Sequence, residues 1–599
     1  MSKVKNQFAA LKYVPRFLRM IWLCHPPMAF GNLLLRIIKS IIPVTTLFVG
    51  KLIVDEVIFL AGQESVVYDR VIMLILTEFG LAVLSDVLNR AIALLDSLLG
   101  DLFANKSSVE LIQHAARLDL DQFENSEFYD MLERARRQTL GRTVLMSQVL
   151  SQLQDLVTMV SLGIGLVVFN PLLIILLIIA VIPAFLGENH FNERTYSLVH
   201  NWTPMRRELD YLRYTGASDV TAKELKVFDL SGFIANRFSK LSDEYYKLNK
   251  SIATKRAFWG VFFSALGTGA YYGTYGYIIF NTVSGKLTIG DLTFLAGSFM
   301  RFRTILEGAL NRFSRITEGA LYLKDFFEFF EIKPKILTPD QAVPMPDEIT
   351  IGFEFVNVGF KYEGTEKWAV RHLSFKLTAG EKLALVGENG AGKTTLVKLL
   401  ARLYDPTEGQ ILLEGIDLRK YDPLAYNKAV GVIFQDFVRF SFKAGLNIAV
   451  GKIEEKDQME SIEYAADKSL AAEVIAGLPE KYDQMIGRRF KDGVDLSGGQ
   501  WQKIALARAY MRDAQLMILD EPTAALDARA EHEVFQRFID LTRNKTSVLI
   551  SHRFSTVRMA DRILVLKGGE IDEIGTHEEL LARQGLYAQL FQLQAKGYQ

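Results

Sequence analysis

The sequence predicts an α-helical polytopic membrane domain followed by a soluble α/β domain. Residues 156–187 and 257–285 form uncharged runs of about 32 and about 29 residues. A helix needs only about 20 apolar residues to cross the hydrocarbon core of a bilayer, so both runs are long enough to span it. Beyond residue 350, short apolar strands alternate with helical segments, which is typical of an α/β fold.

Whole-chain composition narrows the classes of protein before any motif is considered. The chain has 599 residues, and a domain usually has roughly 100–200, so several domains are expected. Its 69 basic and 69 acidic residues cancel, which argues against a nucleic-acid partner and against an acidic disordered chain. The single cysteine, Cys24, excludes an intramolecular disulfide and a cysteine-based zinc site.

The membrane domain is predicted to contain six spans. Asn170-Pro171 divides the first uncharged run into two spans, because proline resists a helix interior and favours a tight turn. Further apolar stretches, which carry several charges, cover residues 28–60, 71–103 and 287–315. Charge at membrane depth is costly, so most of these charges are expected near helix ends. The candidates for a wet cavity are Arg36, Glu78 and Asp86.

The distribution of lysine and arginine predicts the orientation of the chain. Segments 104–142 and 194–256 are rich in basic residues, whereas few occur in the connections near residues 61–70, 170 and 281–290. Because basic loops stay in the cytoplasm, both termini and the second domain are predicted in the cytosol, with the spans in the inner (cytoplasmic) membrane. Residues 1–23 are basic and amphipathic, which predicts a helix at the membrane interface before the first span.

A proline-rich stretch marks the boundary between the two domains. Proline density rises over residues 331–350 and the apolar runs stop there, as in a linker. The predicted organisation is a transmembrane domain over residues 1–330, this linker, and a second domain over residues 351–599. Strands of the second domain are predicted at Leu383–Val386, Val430–Phe434 and Leu516–Leu519.

A phosphate-binding motif lies in the first part of the second domain. GENGAGKTT fits the pattern G-x4-G-K-[ST] and follows the apolar strand KLALV. Its glycines allow backbone N–H groups to turn inward around phosphates, and the helix that follows adds the positive end of its dipole. Lys393 is expected to reach the β- and γ-phosphates of ATP, and Thr394 to offer a hydroxyl to Mg²⁺. The residues predicted to bind ATP here are Gly387, Glu388, Asn389, Gly390, Ala391, Gly392, Lys393, Thr394 and Thr395.

A second motif, LMILDE, ends in two carboxylates and predicts the hydrolytic machinery of a P-loop ATPase. An apolar strand buried in a parallel sheet would deliver Asp520 to its C-terminal edge, where it can hold Mg²⁺ through water. Glu521 is then placed to polarise the water that attacks the γ-phosphate. An isolated pair of this kind could equally cap a helix, but a neighbouring P-loop disfavours that alternative.

A third motif, LSGGQ, leads into the helix-like segment WQKIALARAY. The order of the motifs resembles that of ATP-binding cassette (ABC) transporters. The whole chain resembles a half-size, type IV exporter of the bacterial lantibiotic, peptide, multidrug and lipid group. The resemblance implies that the signature reaches the γ-phosphate bound by a second subunit, so that a dimer is required. This partner would be a second copy of the chain or a degenerate relative, and the signature residues are Ser497, Gly498, Gly499 and Gln500.

The resemblance also implies roles for single residues. Tyr362 is similar to the aromatic residue that stacks on adenine, with strand packing as the alternative. Gln435, in VIFQD, resembles the glutamine that contacts Mg²⁺ or water and senses the membrane domain. His552, in LISHR, resembles the histidine that contacts the γ-phosphate, with a core histidine as the alternative. Asp527, in AALDA, resembles the aspartate that communicates between the two sites.

Coupling between the domains is the least regular part of the resemblance. Segments near residues 121–130 and 214–222 occupy the turning points where the family has its coupling helices, with a solvated bend as the alternative. Leu446 and Arg488 both stand where family members commonly carry a glutamate. Because both positions lie where the cassette meets the intracellular loops, they bear on coupling rather than on hydrolysis.

Together these features predict an ATP hydrolase that exports an amphipathic or hydrophobic substrate, such as a peptide, by alternating access. A lipid or lipid-linked sugar flippase would share every motif and differ only in its cavity. A soluble ABC ATPase would share the P-loop and LSGGQ but not the two uncharged runs. The aromatic run FWGVFFSALGTGAYYGTYGY suits a cavity wall for amphipathic cargo, and lipid-facing packing is an equal alternative.

Overall fold

The structure, a computed structural model, divides the chain into two compact units. Unit 1 comprises Met1–Ala116 and Asp130–Ile332, and unit 2 comprises Arg117–Tyr129 and Lys333–Gln599. Continuous description covers residues 11–64, 67–169, 202–520, 545–551 and 554–596. Between these ranges it covers only residues 175, 182–183, 186–188, 190–191, 194–195, 197–198, 536–537 and 539–543.

Long helices dominate the first half of the chain. Two of them begin at clear start signals: His25 accepts the N–H of Met28 ahead of a Pro-Pro pair, and Thr288 forms a reciprocal capping box with Asp291. The described helices are α1 (Tyr13–Cys24), α2 (Pro26–Ala61), α3 (Asp69–Ala115), α4 (Leu120–Glu124), α5 (Ser126–Phe169), α6 (Thr203–Gly216), α7 (Ala222–Val227), α8 (Ser231–Val283) and α9 (Ile289–Glu331).

Membrane-spanning character is evident in several of these helices. Three stretches among the described residues are long and apolar enough to cross a bilayer: Pro26–Ala61, Asp69–Ala115 and Val144–Val167. Helices α8 and α9 contain most of the stretches predicted as spans at 257–285 and 287–315, since α8 ends at Val283 and α9 begins at Ile289. The predicted turn at Asn170-Pro171 and most of the span after it lie outside the described residues.

The N-terminal helix α1 has one face packed within unit 1. Phe17 is fully buried and meets Phe103 of α3 edge-on, with ring centroids 5.3 Å apart. Tyr13 stacks on Phe327 of α9 at 5.7 Å. Of the interfacial helix predicted over residues 1–23, the described part is Tyr13–Cys24, which contacts α3 and α9, and residues 1–10 lie outside the described residues.

Two sheets form the framework of unit 2. A four-stranded antiparallel sheet has the order β2-β1-β4-β5, and a six-stranded sheet has the order β10-β9-β3-β8-β7-β6. In the larger sheet all strands except β10 run parallel. The strands are β1 (Gly352–Lys361), β2 (Trp368–Thr378), β3 (Lys382–Gly387), β4 (Glu408–Leu413), β5 (Ile416–Asp417), β6 (Val430–Ile433), β7 (Leu516–Asp520), β8 (Thr546–Ile550), β9 (Arg562–Lys567) and β10 (Glu570–Gly575).

Helices cover these sheets and form a second, helical core. One apolar cluster joins the two sheets to α10, and a separate cluster around Trp501 and Ile448 holds the helices before and after the signature motif. The described helices of this part are α10 (Lys393–Leu400), α11 (Pro423–Ala429), α12 (Ala444–Ala449), α13 (Met459–Lys468), α14 (Ala471–Ala476), α15 (Gly498–Met511), α16 (Phe554–Val557), α17 (His577–Arg583) and α18 (Leu586–Lys596).

The turn predicted near residues 121–130, the first cytosolic turn, belongs to unit 2 up to Tyr129. The sequence pattern predicts it in the transmembrane domain of residues 1–330. Leu120 of α4 packs against the apolar core of the sheets. Asp119 accepts the backbone N–H of Ile336 at 3.2 Å, and Lys335 Nζ lies 2.5 Å from Asp121 Oδ2. These contacts join the turn to the residues that follow α9. The hydrogen bonds that the Lys335 ammonium donates to Asp121 and, next in effect, to Glu363 raise the pKa of Lys335.

The second cytosolic turn differs slightly from its predicted position. A short helix was expected near residues 214–222, but α6 continues to Gly216 and the short helix α7 begins at Ala222. The Thr221 hydroxyl donates to the carbonyl oxygen of Thr215 at 2.6 Å and closes the bend between them. The short helix therefore begins at the last residue of the predicted segment and continues beyond it.

Candidate functional site

The predicted site residues converge on one edge of the larger sheet. Strands β3, β6, β7 and β8 are parallel, so their carboxyl ends lie side by side, where ligands of open α/β sheets bind. Gly387 ends β3, Asp520 ends β7, and Gln435 follows β6 by two residues. Asp520 is only 2% exposed. Three further predicted residues, Glu521, Asp527 and His552, lie outside the described residues.

The P-loop connects β3 to α10 and requires glycine at two close approaches. Gly392 has a φ of 102°, and a Cβ there would lie 2.5 Å from Val370 Cγ1. Gly387 has a φ of 154°, and a Cβ there would lie 2.4 Å from the carbonyl oxygen of Leu566. Left-handed backbone and lack of space both exclude a side chain at these positions. The predicted turn of the loop around phosphates thus has the backbone geometry it needs.

Lys393 is positioned across the loop. It is 7% exposed, and its Nζ donates to the carbonyl oxygens of Gly387 at 2.7 Å and Glu388 at 3.0 Å. These bonds hold the ammonium beside the loop, where it can donate charge-assisted hydrogen bonds to a phosphate. Gly387 and Glu388 therefore contribute to the site through their backbone.

A cavity of about 800 Å³ opens over this loop. Its size is within the range of roughly 300–1,000 Å³ typical of small-molecule and cofactor sites. Sequence reasoning missed Trp368, the first residue of β2, which lines the cavity. Lys361 Nζ and the guanidinium carbon of Arg371 lie 4.6 Å and 4.4 Å from its ring centroid. An aromatic residue six positions after Tyr362 was the signal. The lining residues are Tyr362, Thr365, Lys367, Trp368, Ala369, Asn389, Gly390, Ala391, Gly392, Lys393, Thr394, Thr395 and Gln435.

Tyr362 has contacts that match both of its predicted alternatives. Its ring meets Phe360 edge-on at 5.0 Å, which is strand packing, and the residue also lines the cavity. Its hydroxyl lies 3.1 Å from Thr395 Oγ1, and one of these groups donates to the other. The residue is therefore held in place from α10 while it borders the space above the P-loop.

Replacing Tyr362 with alanine is expected to raise the KM for ATP far more than it lowers kcat, because stacking acts on ground and transition states alike. Loss of one base–aromatic contact costs about 1–3 kcal/mol, or about 5- to 150-fold in affinity. Tyr362→Phe keeps the ring and removes only the bond to Thr395, so it is the matched control. Steady-state ATPase kinetics measure both constants. Unchanged ATP affinity in Tyr362→Ala would assign the ring to packing.

An ion pair links the first cytosolic turn to this aromatic residue. Lys398 Nζ of α10 lies 3.0 Å from Glu124 Oε1 of α4 and 5.5 Å from the centroid of the Tyr362 ring. The same ammonium lies 5.6 Å from the ring centroid of Tyr404. Burial, followed by the Glu124 carboxylate, raises the pKa of Tyr404. The Glu124 carboxylate of α4 is thus connected to the Tyr362 ring through a single side chain, that of Lys398.

Neutralising this ion pair is expected to change ATP affinity in a coupled way. Glu124→Gln and Lys398→Gln should each shift the KM for ATP a few-fold, and the double variant should shift it by less than their product. The pair is partly exposed, so the coupling energy should be at most about 1 kcal/mol. A double-mutant cycle on the KM for ATP measures it. Strictly multiplicative effects would show that the ion pair has no influence on the nucleotide cavity.

The signature motif forms the exposed start of α15. Ser497 Oγ accepts the N–H of Gln500 at 3.3 Å, and Gln500 Oε1 accepts the N–H of Ser497 at 2.9 Å. Trp501, the next residue, is buried in the helical core and fixes the helix. Neither Ser497 nor Gln500 belongs to the described lining of the cavity in the same chain. The start of α15 is therefore no part of the described wall of the cavity over its own P-loop.

Arg508, which sequence reasoning missed, ties the signature helix to the segment after Gln435. Its guanidinium donates to the carbonyl oxygens of Asn447 and Val438, each at 2.9 Å, and to Asn447 Oδ1 at 2.9 Å. Burial lowers the pKa of Arg508 to about 10. Both atypical positions of the sequence lie next to this region: Leu446 precedes Asn447, and Arg488 pairs with Asp495 at 2.8 Å.

The fold and the loop define a class, a P-loop nucleotide-binding domain joined to membrane helices. The family model for the ABC transporter matches residues 370–524. The chain therefore contains an ABC transporter domain with a fused N-terminal membrane region, as the order of its motifs predicted.

Three comparisons show what the chain is similar to. The subtilin transport ATP-binding protein of Bacillus subtilis is 29% identical over 98% of this chain and 95% of its own length. The ATP-dependent lipid A-core flippase of Syntrophus aciditrophicus is 42% identical over 45% of this chain and 44% of its own length. A bacterial Atm1-family ABC exporter solved with ATP bound has a TM-score of 0.81 at 23% identity, covering 95% of this chain and 99% of its own.

These findings confirm the predicted fold class and the predicted activity. The fold is that of an ABC exporter, a helical membrane domain followed by an α/β nucleotide-binding domain. The protein is a membrane protein with a cytosolic ATPase domain that binds nucleotide and hydrolyses ATP to drive export.

Proposed function

We propose that the protein acts as a homodimer in the cytoplasmic membrane and exports an amphipathic substrate, such as a peptide. The observation that carries this proposal is the extent of one similarity. The subtilin transport relative matches 98% of the chain, so its membrane region is included. The flippase relative matches less than half of the chain, although at higher identity. Since the membrane region contacts the substrate, the full-length similarity favours peptide cargo over a lipid or lipid-linked sugar, which is the second candidate.

The exposed signature supports a composite ATP site. Ser497 and Gln500 lie outside the described lining of their own cavity, while the start of α15 offers N–H groups to an anion from elsewhere. In the homodimer, the signature of one copy closes the P-loop cavity of the other. Asp527 would then transmit the state of one site to the other. A heterodimer with a degenerate partner would keep only one complete site.

Mg²⁺ fits the oxygen donors at the sheet edge. Thr394 and Gln435 line the cavity, and Asp520 ends the neighbouring strand, which together offer a hydroxyl, an amide oxygen and a carboxylate. Mg²⁺ prefers oxygen ligands and keeps several waters, so few protein ligands are needed. When bound, the ion neutralises charge on the β- and γ-phosphates.

Hydrolysis in this proposal depends on positioned protein groups. Lys393 moves its hydrogen bonds from the carbonyl groups of the loop to the phosphates and stabilises the charge that develops there. Glu521 orients the attacking water and accepts its proton. His552, which follows β8 by two residues in the sequence, has the role of the histidine that contacts the γ-phosphate. Closure and opening of the two cassettes drive the spans between inward- and outward-facing arrangements.

Transport in reconstituted vesicles tests the cargo. The purified protein in proteoliposomes with outward-facing cassettes should take up a fluorescent amphipathic peptide only when ATP and Mg²⁺ are present. Glu521→Gln is the matched control, because it retains the cavity and lacks turnover. A contrary outcome would be transfer of a fluorescent phospholipid between leaflets, at the same protein density, without peptide uptake. That result would favour the flippase over the peptide exporter.

Orientation in the membrane is tested by labelling. In a variant without Cys24, a cysteine at Gly62 or Ser284, which end α2 and α8, should react with a membrane-impermeant maleimide from outside intact cells. A cysteine at Asn125 or Gly216 should react only after the cells are opened, because basic segments remain in the cytosol. Labelling at Asn125 in intact cells would reverse the proposed orientation.

A further inference from the structure

A buried network of polar side chains connects four helices of unit 1. The Arg36 side chain, which is 4% exposed, donates to Asp96 Oδ2 at 2.5 Å, Asn32 Oδ1 at 2.7 Å and Ser151 Oγ at 2.9 Å. Asp96 also accepts from Asn32 Nδ2 at 2.7 Å and Ser147 Oγ at 2.9 Å. A second ion pair, between Arg312 of α9 and Asp155 of α5, borders the same space. Within this network every charge described so far has an opposite charge beside it.

Lys39 is the exception among these charges. It lies three residues after Arg36 on α2, is half-buried, and makes no hydrogen bond or ion pair with any described residue. The charges that act on it are Arg36 on the same helix and Asp155, Arg301 and Asp96 on neighbouring helices. Both aspartates are already paired, and Arg301 on α9 adds a further positive charge. The region therefore carries an excess of positive charge that is centred on Lys39.

A cavity lined by Lys39 offers space for a ligand beside this excess charge. It measures about 340 Å³ and is bordered by helices α2, α3, α5 and α9. Three cations and two anions line it, so its net charge is one positive. Neutral polar groups of Asn89 and Gln154 complete a wall that can donate hydrogen bonds. Ionisable side chains within membrane helices are costly unless they are paired, and they commonly mark substrate pathways.

We propose that this cavity binds the anionic head group of an amphiphile, such as a phosphate monoester, with Lys39 as its counter-charge. The inference rests on the proposed function, because it assigns an anionic group to the exported amphipathic substrate. A phosphate monoester on an acyl chain is the probe for that group. The two existing ion pairs hold the walls in place, and the ammonium of Lys39 supplies the charge that they lack. The volume is near the lower end of the range for ligand pockets, so the cavity suits a head group, and the hydrocarbon part remains among the spans.

Binding without ATP tests the proposal. The full-length protein in nanodiscs of phosphatidylcholine is titrated with fluorescent lysophosphatidic acid and with lysophosphatidylcholine of the same acyl chain. The wild type should bind the phosphate monoester about ten-fold more tightly, the change expected when one partly buried charge pair is formed or lost. Lys39→Gln should abolish this preference and Lys39→Arg should keep it. Lys286→Gln, which changes an exposed lysine outside the cavity, is the matched control.

Several outcomes would overturn the proposal. Equal affinity of the wild type for the two probes would exclude a preference for an anionic head group, and this comparison needs no variant. An undiminished preference in Lys39→Gln would exclude the role of Lys39. Displacement of the probe by inorganic phosphate at equal concentration would show a site for a free anion instead. Lys39→Gln breaks no described contact, so its thermal unfolding should match the wild type.

The same design separates this inference from the proposed function. The affinity measurement involves neither ATP nor transport, so a missing head-group preference leaves ATP-driven peptide uptake intact. If ATP-driven uptake failed while the head-group preference in binding remained, the proposed export would be contradicted. The assignment of an anion site to the cavity would not be affected.

Discussion

Replacement of Lys393 by alanine is expected to abolish ATP turnover and to weaken ATP binding, while the membrane helices remain folded. The Lys393 ammonium is the cation held over the P-loop by the carbonyl oxygens of Gly387 and Glu388. Its loss removes charge stabilisation at the transferred phosphate, for which a single preorganised donor is worth about 10²–10³-fold in rate. ATPase activity and equilibrium nucleotide binding of the purified variant in lipid measure the two effects.

A surface lysine provides the control for this variant. Lys376 of β2 is largely exposed and pairs with Glu354 at 3.2 Å, away from the cavity lining. Lys376→Ala should therefore keep the turnover of the wild type. Normal ATP hydrolysis in Lys393→Ala would contradict the assignment of this loop as the ATP-binding P-loop, whatever the control shows.

Glu521→Gln is expected to keep ATP affinity and to lose most hydrolysis, leaving an ATP-closed dimer. The variant is isosteric, so contacts to the nucleotide persist, but an amide cannot accept the proton of the attacking water. General-base catalysis contributes about 10²–10⁴-fold, which sets the expected loss. Binding of ATP and its hydrolysis should therefore separate, as measured by nucleotide binding and phosphate release on the same preparation.

Mixed dimers test whether each site is shared between two chains. A Glu521→Gln chain combined with a Ser497→Arg chain should have one site with both defects and one site with neither, and about half of the wild-type rate if the sites act independently. Sites built from one chain would each carry one defect and would have almost no activity. The ATPase rate of dimers purified through two different tags distinguishes the two arrangements.

A low rate in the mixed dimer has two explanations that a second assay separates. Composite sites that cannot fire independently would still trap nucleotide at the intact site after one turnover. Sites within single chains would trap it according to the defect of each chain. Nucleotide trapping on the same mixed dimers therefore decides whether Ser497 acts on its own cavity or on that of its partner.

The nucleotide site was largely predictable because its parts are local in sequence. The strand KLALV, the glycines after it and the helix after them are consecutive, and the structure has β3, the loop and α10 in that order. Asp520 was expected at the end of an apolar strand and ends β7. A short apolar run can only be a buried strand or part of a buried helix, and flanking glycines favoured the strand. Such local patterns need no knowledge of distant contacts.

Residues outside the motifs were not predictable in this way. Trp368 forms part of the cavity wall only because the β1–β2 turn brings it above the P-loop. Arg508 was hidden in an ordinary helical pattern, and its partners Asn447 and Val438 precede it by 61 and 70 residues. The sequence around Trp368 or Arg508 does not indicate which distant residues they contact.

The sequence by itself determined the class of protein: uncharged runs of spanning length, a basic-loop pattern, and three motifs in a characteristic order. Tertiary structure alone decided which charges are compensated. Arg36 meets Asp96 and Ser151 across 60 and 115 residues, while Lys39, on the same helix, forms no ion pair or hydrogen bond with a described residue. It also decided that the turn containing Glu124 joins unit 2, through an ion pair that spans 274 residues. Periodicity describes which face of a helix is apolar, but only packing determines which side chain of another helix lies opposite a given charge.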